Sequence, residues 1–439
     1  MKMENAVNGS ASRNLPLYDR NEISKHNSEG DKWLIIDRKV YDISKWCKKH
    51  PGGARIISHY AGEDATAAWI AFHDDKDHVK KFLKSLLIGE LKETEPESEI
   101  SQDFRELRKT AEEMQLFKTN IWFYLLHIVH ILLLELLAYA IIVWYGTSWF
   151  PYISAALLLT VVQAQAGWSQ HDYGHLSVFP SSKLNHLAHE FVIGTLKGAS
   201  SHWWNFRHFQ HHAKPNVMSK DPDINIPYMF LLGDKMPINW AKKKKGFMPY
   251  QRQHEYFFGL GPPLLLPVYF HYENLFFIWK RKNLWDFMWM MSFFVKHFSM
   301  YGPLMGGWGA FWFYMLFRTL ESNWFVWVTQ MNHIPMDIDK DTNREWLTLQ
   351  LKSTCNVDPG LFNDWFTGHL NFQIEHHLFP TMPRHNYHKI QPLVKSICHK
   401  HNLDYQSKSL FTAFSDIVRS LKKSGELWYD AYHMDISSG

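Results

Sequence analysis

The sequence predicts a small α+β domain followed by a larger all-α membrane domain. Three observations predict this order. Two short β-branched runs, 33–37 and 39–43, lie near the N-terminus and precede a His-Pro-Gly-Gly turn that opens at His50. An apolar stretch long enough to cross a bilayer then occupies residues 121–145. Three histidine-rich motifs follow between residues 171 and 377. At 439 residues, more than one domain is expected.

Composition narrows the class of protein. The formal charge of +4 is spread along the chain, and no stripe of basic and aromatic residues forms a base-stacking surface, so nucleic acid is not an expected partner. The 20 tryptophans favour a membrane protein, because Trp and Tyr concentrate at membrane interfaces. The three cysteines, Cys47, Cys355 and Cys398, permit one disulfide at most, which is typical of chemistry facing a reducing compartment.

Residues 1–17 are polar and are expected to be disordered, and residues 18–92 form the small domain. The two glycines after His50 allow the backbone to pass close to a flat ligand, and the proline restricts the turn. A second histidine, His73, follows. Two histidines on opposite sides of an apolar cleft can fill both axial positions of a haem iron, which then only passes electrons. The pattern predicts a haem held by His50 and His73.

Acidic residues surround the second haem histidine: Glu63, Asp64, Asp74, Asp75 and Asp77. A solvated rim and a docking face for a basic electron donor are both compatible with them. Residues 93–118 are predicted to form an acidic, proline-containing linker and an amphipathic segment.

The membrane domain is predicted to begin with a helical hairpin. Residues 121–145 cross the bilayer, 146–150 make a tight connection, and 151–168 return. The first histidine motif comes directly after this return. It therefore lies on the same side of the membrane as the small domain.

The histidine motifs are His171-Asp172-Tyr173-Gly174-His175, His208-Phe209-Gln210-His211-His212 and Gln373-Ile374-Glu375-His376-His377. On a helix, residues three and four apart share a face, so each motif directs two or three imidazole or amide groups at one place. Imidazole suits iron, zinc, copper and nickel. Because zinc usually takes four ligands, seven histidines favour two neighbouring metal ions.

Three apolar stretches separate the second and third motifs: 256–279, 284–300 and 310–328. The first and third motifs share a site only if an even number of crossings lies between them, so one stretch does not cross. The basic run 280–282 prefers the cytosol, which favours the last two stretches as a second hairpin. The first stretch is the longest, and the choice stays open.

Together these features resemble a front-end fatty acyl desaturase of the cytochrome b5-fusion, delta-5/delta-6 type, within the membrane histidine-box family. The resemblance covers about residues 18–432. It depends on the His50-Pro51-Gly52-Gly53 turn, the three motifs, and Gln373 where most other desaturases carry histidine. It implies a small α+β cytochrome b5-like haem domain, then an all-α membrane desaturase domain over 119–439. That domain would have four transmembrane helices in two hairpins and a cytosolic helical cap.

The resemblance also implies the ligands. His50 and His73 would be the axial ligands of haem b, and the two iron ions would be bound by His171, His175, His208, His211, His212, His333, Gln373, His376 and His377. His333 is included because a further ligand in related desaturases follows the last transmembrane helix. Gln373 is a neutral amide, which would bind iron through its carbonyl or hydrogen-bond a ligand or water. His369 is a candidate hydrogen-bond partner and not a ligand.

The implied reaction removes two hydrogens from adjacent methylenes of a polyunsaturated fatty acyl chain, as its coenzyme A thioester. A cis double bond forms at position five or six, with dioxygen as co-substrate. Electrons would come from NADH through a cytochrome b5 reductase and the chain's own haem, whose tethering raises its effective concentration. The resemblance places the protein in the endoplasmic reticulum membrane, with the haem domain and the motifs facing the cytosol.

Three other functions use parts of the same pattern. A lipid hydroxylase has the same di-iron site, and a membrane-anchored haem electron carrier would have vestigial motifs. A zinc hydrolase would favour His-Glu-x-x-His, whereas the first motif contains Asp-Tyr-Gly between its histidines. The position of the double bond, the chain length, the acyl carrier and the oligomeric state stay open.

Overall fold

The computed structural model describes residues 15–73, 76–92, 97–244, 246, 248–342 and 344–437. The chain divides into two compact units, Met1–Glu97 and Ser98–Gly439. Most of the tail expected to be disordered lies outside the described residues, as do Asp74, Asp75 and linker residues 93–96.

The first unit contains a five-stranded sheet in the order β1-β5-β4-β3-β2. Its strands are β1 (Leu17–Tyr18), β2 (Asn27–Ser28), β3 (Asp31–Ile36), β4 (Lys39–Asp42) and β5 (Leu87–Leu91). Strands β3 and β4 are the two predicted from the β-branched runs. Asp37 and Arg38 join them with φ values of 48° and 63°, and two consecutive positive φ values are typical of the type I′ turn that matches the twist of a hairpin.

The first unit also contains four short helices: α1 (Arg20–Ile23), α2 (Ala54–Ser58), α3 (Thr66–Phe72) and α4 (Lys76–Leu83). The core contains Ile23, Ile35, Val40 and Leu91. His50 ends the 3-10 turn Cys47–Lys49, and His73 ends α3. Both histidines therefore stand where an element stops.

The second unit begins with α5 (Glu99–Glu113), which covers much of the segment expected to be a linker. Its buried face includes Phe104, Leu107 and Ala111. Phe104 stacks on Phe379 at 5.7 Å, so this helix packs as part of the second unit.

A helical hairpin follows, made of α6 (Ile121–Tyr145) and α7 (Trp149–Gly174). Gly146 ends α6 with a φ of 75°. These are the two helices of the described residues whose length and hydropathy suffice to cross a bilayer. Helix α6 exposes apolar side chains such as Leu126 and Leu133, which are suited to contact with lipid. Helix α7 continues six residues beyond the predicted end at 168, so the first histidine motif begins within its last turn.

Between the hairpin and the second histidine motif lie α8 (Ser182–His189) and a π-helical turn, Glu190–Leu196. The second motif lies on α9 (Ser201–Ala213), and α10 (Lys235–Lys242) follows.

The stretch 256–279 is interrupted. It falls within α11 (Gln253–Leu264), the π-helical turn Leu265–Phe270 and α12 (His271–Arg281). Glu273 of α12 accepts a 2.9 Å hydrogen bond from Arg207 of α9. One side of these helices therefore packs against polar groups, while Phe258 and Trp279 are exposed.

Helix α13 (Leu284–Gln330) is bent back on itself at Gly306, whose φ of 73° and ψ of 164° are not helical. His297 Nε2 lies 2.9 Å from the carbonyl oxygen of Ala310. In a straight helix, residues so far apart in sequence would be separated by about 20 Å. The helix is therefore two antiparallel arms, 284–305 and 307–330, which pack against α6 and α7.

Charged groups are buried where α7 meets the second arm. Glu321 is fully buried and pairs with Lys197 and Arg318. Arg318 also donates to the side-chain oxygen of Gln163 at 2.7 Å. The cluster joins three elements through one carboxylate.

The rest of the chain contains four shorter helices and one long helix: α14 (Trp346–Ser353), α15 (Leu361–Thr367), α16 (Gln373–Leu378), α17 (Tyr387–Lys400) and the long α18 (Leu410–Ser437). Two short parallel strands, β6 (Asn356–Val357) and β7 (Ser407–Lys408), connect them. The third histidine motif occupies α16, so all three motifs lie on helices, as their spacing predicted.

Candidate metal centre

The histidine motifs meet at the ends of α7, α9 and α16. One group of five has ligand nitrogens within 4.8 Å of one another: His171, His175, His208, His212 and His376. Each motif contributes to it. Four of the five are buried and His208 is partly buried.

Three of the nitrogen separations have the spacing of shared metal ligands. His208 Nε2 lies 3.1 Å from His171 Nε2, 2.9 Å from His175 Nε2 and 3.0 Å from His212 Nε2. Two ligands at right angles on one metal, each about 2.1 Å from it, stand about 3 Å apart. The imidazoles thus converge as a metal would require.

A second group contains His211, His333 and His377, again with nitrogens within 4.8 Å of one another. Here His211 is the residue adjacent to His212, and His377 is adjacent to His376. The two groups therefore adjoin, and the rings of His212 and His377 stack with centroids 4.1 Å apart.

Gln373 belongs to the second group by position. Its Nε2 lies 2.9 Å from His333 Nε2, and its Oε1 is buried without a hydrogen-bond partner among the described residues. The two ends of an amide are distinguished only by their hydrogen bonds. In either orientation, one polar end of Gln373 faces the histidine nitrogens.

Two buried histidine ring nitrogens without hydrogen-bond partners among the described residues indicate that a metal ion fits between the motifs. His376 Nε2 and His377 Nε2 are both buried and have no hydrogen-bond partner within the described part of the chain. Leaving such groups unsatisfied is costly unless something binds them. Two all-imidazole groups with inward-facing nitrogens fit a pair of iron ions.

The other ring nitrogen of several histidines is bound to the protein. His333 Nδ1 donates to the Ser353 carbonyl and His377 Nδ1 to the Gln350 side-chain oxygen, both at 3.0 Å. His376 Nδ1 lies 2.9 Å from the hydroxyl oxygen of Tyr387. Such bonds fix the ring and leave Nε2 as the metal-binding atom.

Burial keeps most of these imidazoles neutral, which is the ligand form. It lowers the pKa of both His175 and His333 to about 3, with the charge of His211 adding to the effect. His211 differs. Burial opposes its protonation, but the charge and hydrogen bond of Asp221 outweigh burial and raise its pKa.

Buried polar contacts hold the motifs in place. Asp172, inside the first motif, forms an ion pair of 3.1 Å with Arg384, which follows the third. Glu375, inside the third motif, accepts bonds of 2.7 Å from Tyr405 and Asn356. The first contact links the first motif to the segment after the third, and the others anchor the third motif to neighbouring segments.

Some positions were not anticipated. No sequence pattern identified the residues that hydrogen-bond or pair with the motifs: Gln350, Tyr387 and Arg384. A local pattern was present only for Asp221, which belongs to the Asp-Pro-Asp run shortly after the second motif. Among the described residues, no hydrogen bond joins His369 to Gln373. Its ring faces Phe123 at 5.7 Å, and its Nδ1 is buried without a partner in the described residues.

The two histidines of the first unit face each other. The ring centroids of His50 and His73 are 6.3 Å apart. Two metal–nitrogen bonds of about 2 Å and two half-rings of about 1 Å span about 6 Å, the distance expected across one iron. His50 Nδ1 donates to the Gly53 carbonyl at 3.3 Å, and His73 Nδ1 to the Trp69 carbonyl at 3.0 Å.

The surroundings of His50 also fit a haem. Burial, and then the facing His73, lower the pKa of His50 to about 4, so the ring is neutral and can ligate. A Cβ on Gly52 would stand 3.0 Å from Cε1 of His50, so a larger residue there would press on the ring. Both observations agree with an axial ligand at this turn.

Two models of known protein families match the two parts of the chain. The model of the fatty acid desaturase family matches residues 147–409, and that of the cytochrome b5-like heme/steroid binding domain matches residues 19–92. Cytochrome b5 of Ostreococcus tauri virus 2 is 39% identical over 17% of this chain and 95% of its own, with a TM-score of 0.16. Ectothiorhodospira vacuolata cytochrome b558, a prokaryotic homologue of cytochrome b5, is 30% identical over 18% of this chain and 99% of its own, with a TM-score of 0.17.

A haem domain joined to paired histidine clusters defines a membrane-associated oxidoreductase that acts on fatty acids. The chain belongs to the fatty acid desaturase family and carries a cytochrome b5-like domain N-terminal to the desaturase domain, the arrangement of a b5-fusion front-end desaturase.

Proposed function

We propose that this protein is a front-end acyl-CoA desaturase that inserts a cis double bond at position five or six of a polyunsaturated acyl chain. One observation carries the proposal: two adjoining histidine groups in a chain that also has a bis-histidine haem site. The histidine groups can bind the metal ions that would activate dioxygen, and the haem site can deliver electrons to those metal ions.

The chemistry explains why both are needed. Removing two hydrogens from adjacent methylenes, together with two electrons and two protons, reduces one dioxygen to two waters. When bound, a pair of iron ions supplies from dioxygen the oxidising power that an unactivated C–H bond requires. The electrons would come from outside, and a haem held by His50 and His73 would supply one-electron transfer.

The residues of the chain have assignable roles. His50 and His73 would hold the haem. One iron would be held by His171, His175, His208, His212 and His376. The other would be held by His211, His333, His377 and Gln373. Asp172 and Arg384 keep the first and third motifs together.

The proposal includes four membrane-spanning helices: α6, α7 and the two arms of α13. The fold-back at Gly306 supports it, since each arm is about as long as the roughly 20 residues that cross a hydrocarbon core. The interruption of 256–279 supports placing α11 and α12 at the membrane surface. His175 and His333 follow the ends of α7 and of the second arm, which agrees with motifs on one face.

That face is the cytosolic side of the endoplasmic reticulum membrane, where NADH and a cytochrome b5 reductase are the electron source. The basic residues Lys280 and Arg281 at the end of α12 agree with a cytosolic location. The three cysteines are free and buried, which agrees with a reducing compartment.

The test is expression of the full chain in yeast supplied with individual polyunsaturated fatty acids, followed by gas chromatography and mass spectrometry. The expected product lacks two hydrogens, with its new double bond between the carboxyl group and the first existing one. The control is His376→Ala, which removes one proposed ligand and should give no product. A product that has gained oxygen would identify a hydroxylase, and no product from any acid would overturn the proposal.

A further inference from the structure

A buried carboxylate supports the second histidine group. Asp221 is fully buried, ten residues after His211 in sequence. Its Oδ2 accepts bonds from His211 Nδ1 at 2.9 Å and from the Asn216 backbone N–H at 2.8 Å. Its Oδ1 accepts the Asp223 backbone N–H, also at 2.8 Å. Two backbone bonds therefore hold this carboxylate rigidly against the ring.

The neighbouring carboxylate is placed differently. Asp223 Oδ2 lies 3.8 Å from His211 Nδ1, beyond hydrogen-bond distance, and its side chain is partly exposed. Its Oδ1 accepts from Arg207 at 3.1 Å. Asp223 is thus partnered by a cation, while Asp221 is directed at the imidazole. The two residues provide a matched pair for experiment.

The contact between Asp221 and His211 differs from the others in the second group because Asp221 carries a negative charge. The other two histidines of this group donate to neutral oxygens, those of Ser353 and Gln350. Three neutral imidazoles and one amide supply no negative charge to a buried cation. A carboxylate on the far nitrogen of a ligating histidine fixes the tautomer and increases the ring's donor strength.

We propose that Asp221 is a positioning residue that holds His211 with Nε2 toward the second metal and offsets the charge of that metal. The inference rests on the proposed iron centre. It adds that retention of the second iron depends on a residue outside the histidine motifs. Partners of this kind typically contribute about 10–100-fold to metal affinity.

The substitution Asp221→Asn keeps the shape of the side chain. It removes the charge, and its amide N–H₂ must face either His211 and Asn216 or the Asp223 N–H, all of which are donors. Asp223→Asn is the control, because it removes a carboxylate two residues away without touching the bond to His211.

The experiment uses the full chain purified in detergent and loaded with iron. Iron per chain is measured after dialysis against rising chelator, with haem absorbance counting the chains and Mössbauer spectra separating the two irons. The parent and Asp223→Asn should release both irons at similar chelator concentrations. Asp221→Asn should release one iron at about a 10–100-fold lower concentration and lose one spectral component.

If Asp221→Asn retains both irons as the control does, the inference is wrong while the iron centre stands. If the parent binds no iron, the proposed centre fails and the inference fails with it. Should the Asn variant not give monodisperse protein, Asp221→Ser removes the same charge with a smaller side chain and should show the same selective loss. A serine variant that retains both irons as the parent does would equally overturn the role.

Discussion

Gln373 Nε2 lies 2.9 Å from His333 Nε2, although 40 residues separate the two side chains in sequence. His333 follows the second arm of α13, and Gln373 opens the third histidine motif. Their contact places the side-chain amide of Gln373 beside the second histidine group. Gln373 therefore occupies a position from which it can act on the metal.

Substitution of Gln373 tests that position. Gln373→His should retain iron and some product, because imidazole can ligate where the amide stands. Gln373→Ile has similar bulk but can neither ligate nor donate a hydrogen bond, so it should lose activity. His376→Ala should lose more iron than either. Iron content and product yield of the three purified variants are the measurements, and an isoleucine variant as active as the parent would make Gln373 a packing residue.

Replacing His73 should change the haem. The full chain is expected to show the spectrum of a six-coordinate, low-spin haem, because two imidazoles face each other at the distance that one iron bridges. His73→Ala should lose that spectrum and most of its haem. His26→Ala is the control, since His26 stacks on Trp33 and pairs with Asp31. Equal haem content in both variants would contradict the axial assignment.

Replacing His50 tests the route of the electrons. His50→Ala should abolish desaturation even when free cytochrome b5 is added, because tethering gives the fused haem a higher effective concentration at the iron site. Turnover by purified variant and parent, each with reductase, NADH and free cytochrome b5, provides the comparison. Near-normal turnover in the variant would show the fused domain to be dispensable.

Glu321→Gln should destabilise the membrane domain. The change leaves Lys197 and Arg318 buried without their shared carboxylate, and removing one partner of a buried ion pair typically costs about 3–5 kcal/mol. Glu426→Gln is the control. Its partner Lys422 lies on an exposed face of α18, where such pairs contribute about 1 kcal/mol or less. Thermal unfolding in detergent measures both, and equal midpoints would mean that the cluster contributes little.

Several features followed from local sequence. Strands β3 and β4 were predictable from short β-branched runs, and α6 from a long, mostly apolar stretch. The histidine motifs were predictable because three- and four-residue spacing is a local property of helices. His50 and His73 could be predicted as haem ligands because the glycines of the His-Pro-Gly-Gly turn let the backbone pass close to a flat ligand.

Other features depend on residues that meet only when the chain folds. The sequence separated the apolar stretches 284–300 and 310–328, but it did not mark Gly306, among the glycines between them, as the residue where the helix reverses. The segment 93–118 has a linker's composition, yet most of it is a helix whose apolar face packs within the second unit.

By itself, the sequence determined which residues could bind metal and haem, because spacing and side-chain chemistry are properties of the chain. Only the tertiary structure divided the histidines into two groups, brought Gln373 to His333, and placed Asp221 behind His211. The reason is physical. A metal site is defined by where side chains from distant segments converge, and convergence depends on how helices pack rather than on the order of residues along any one of them.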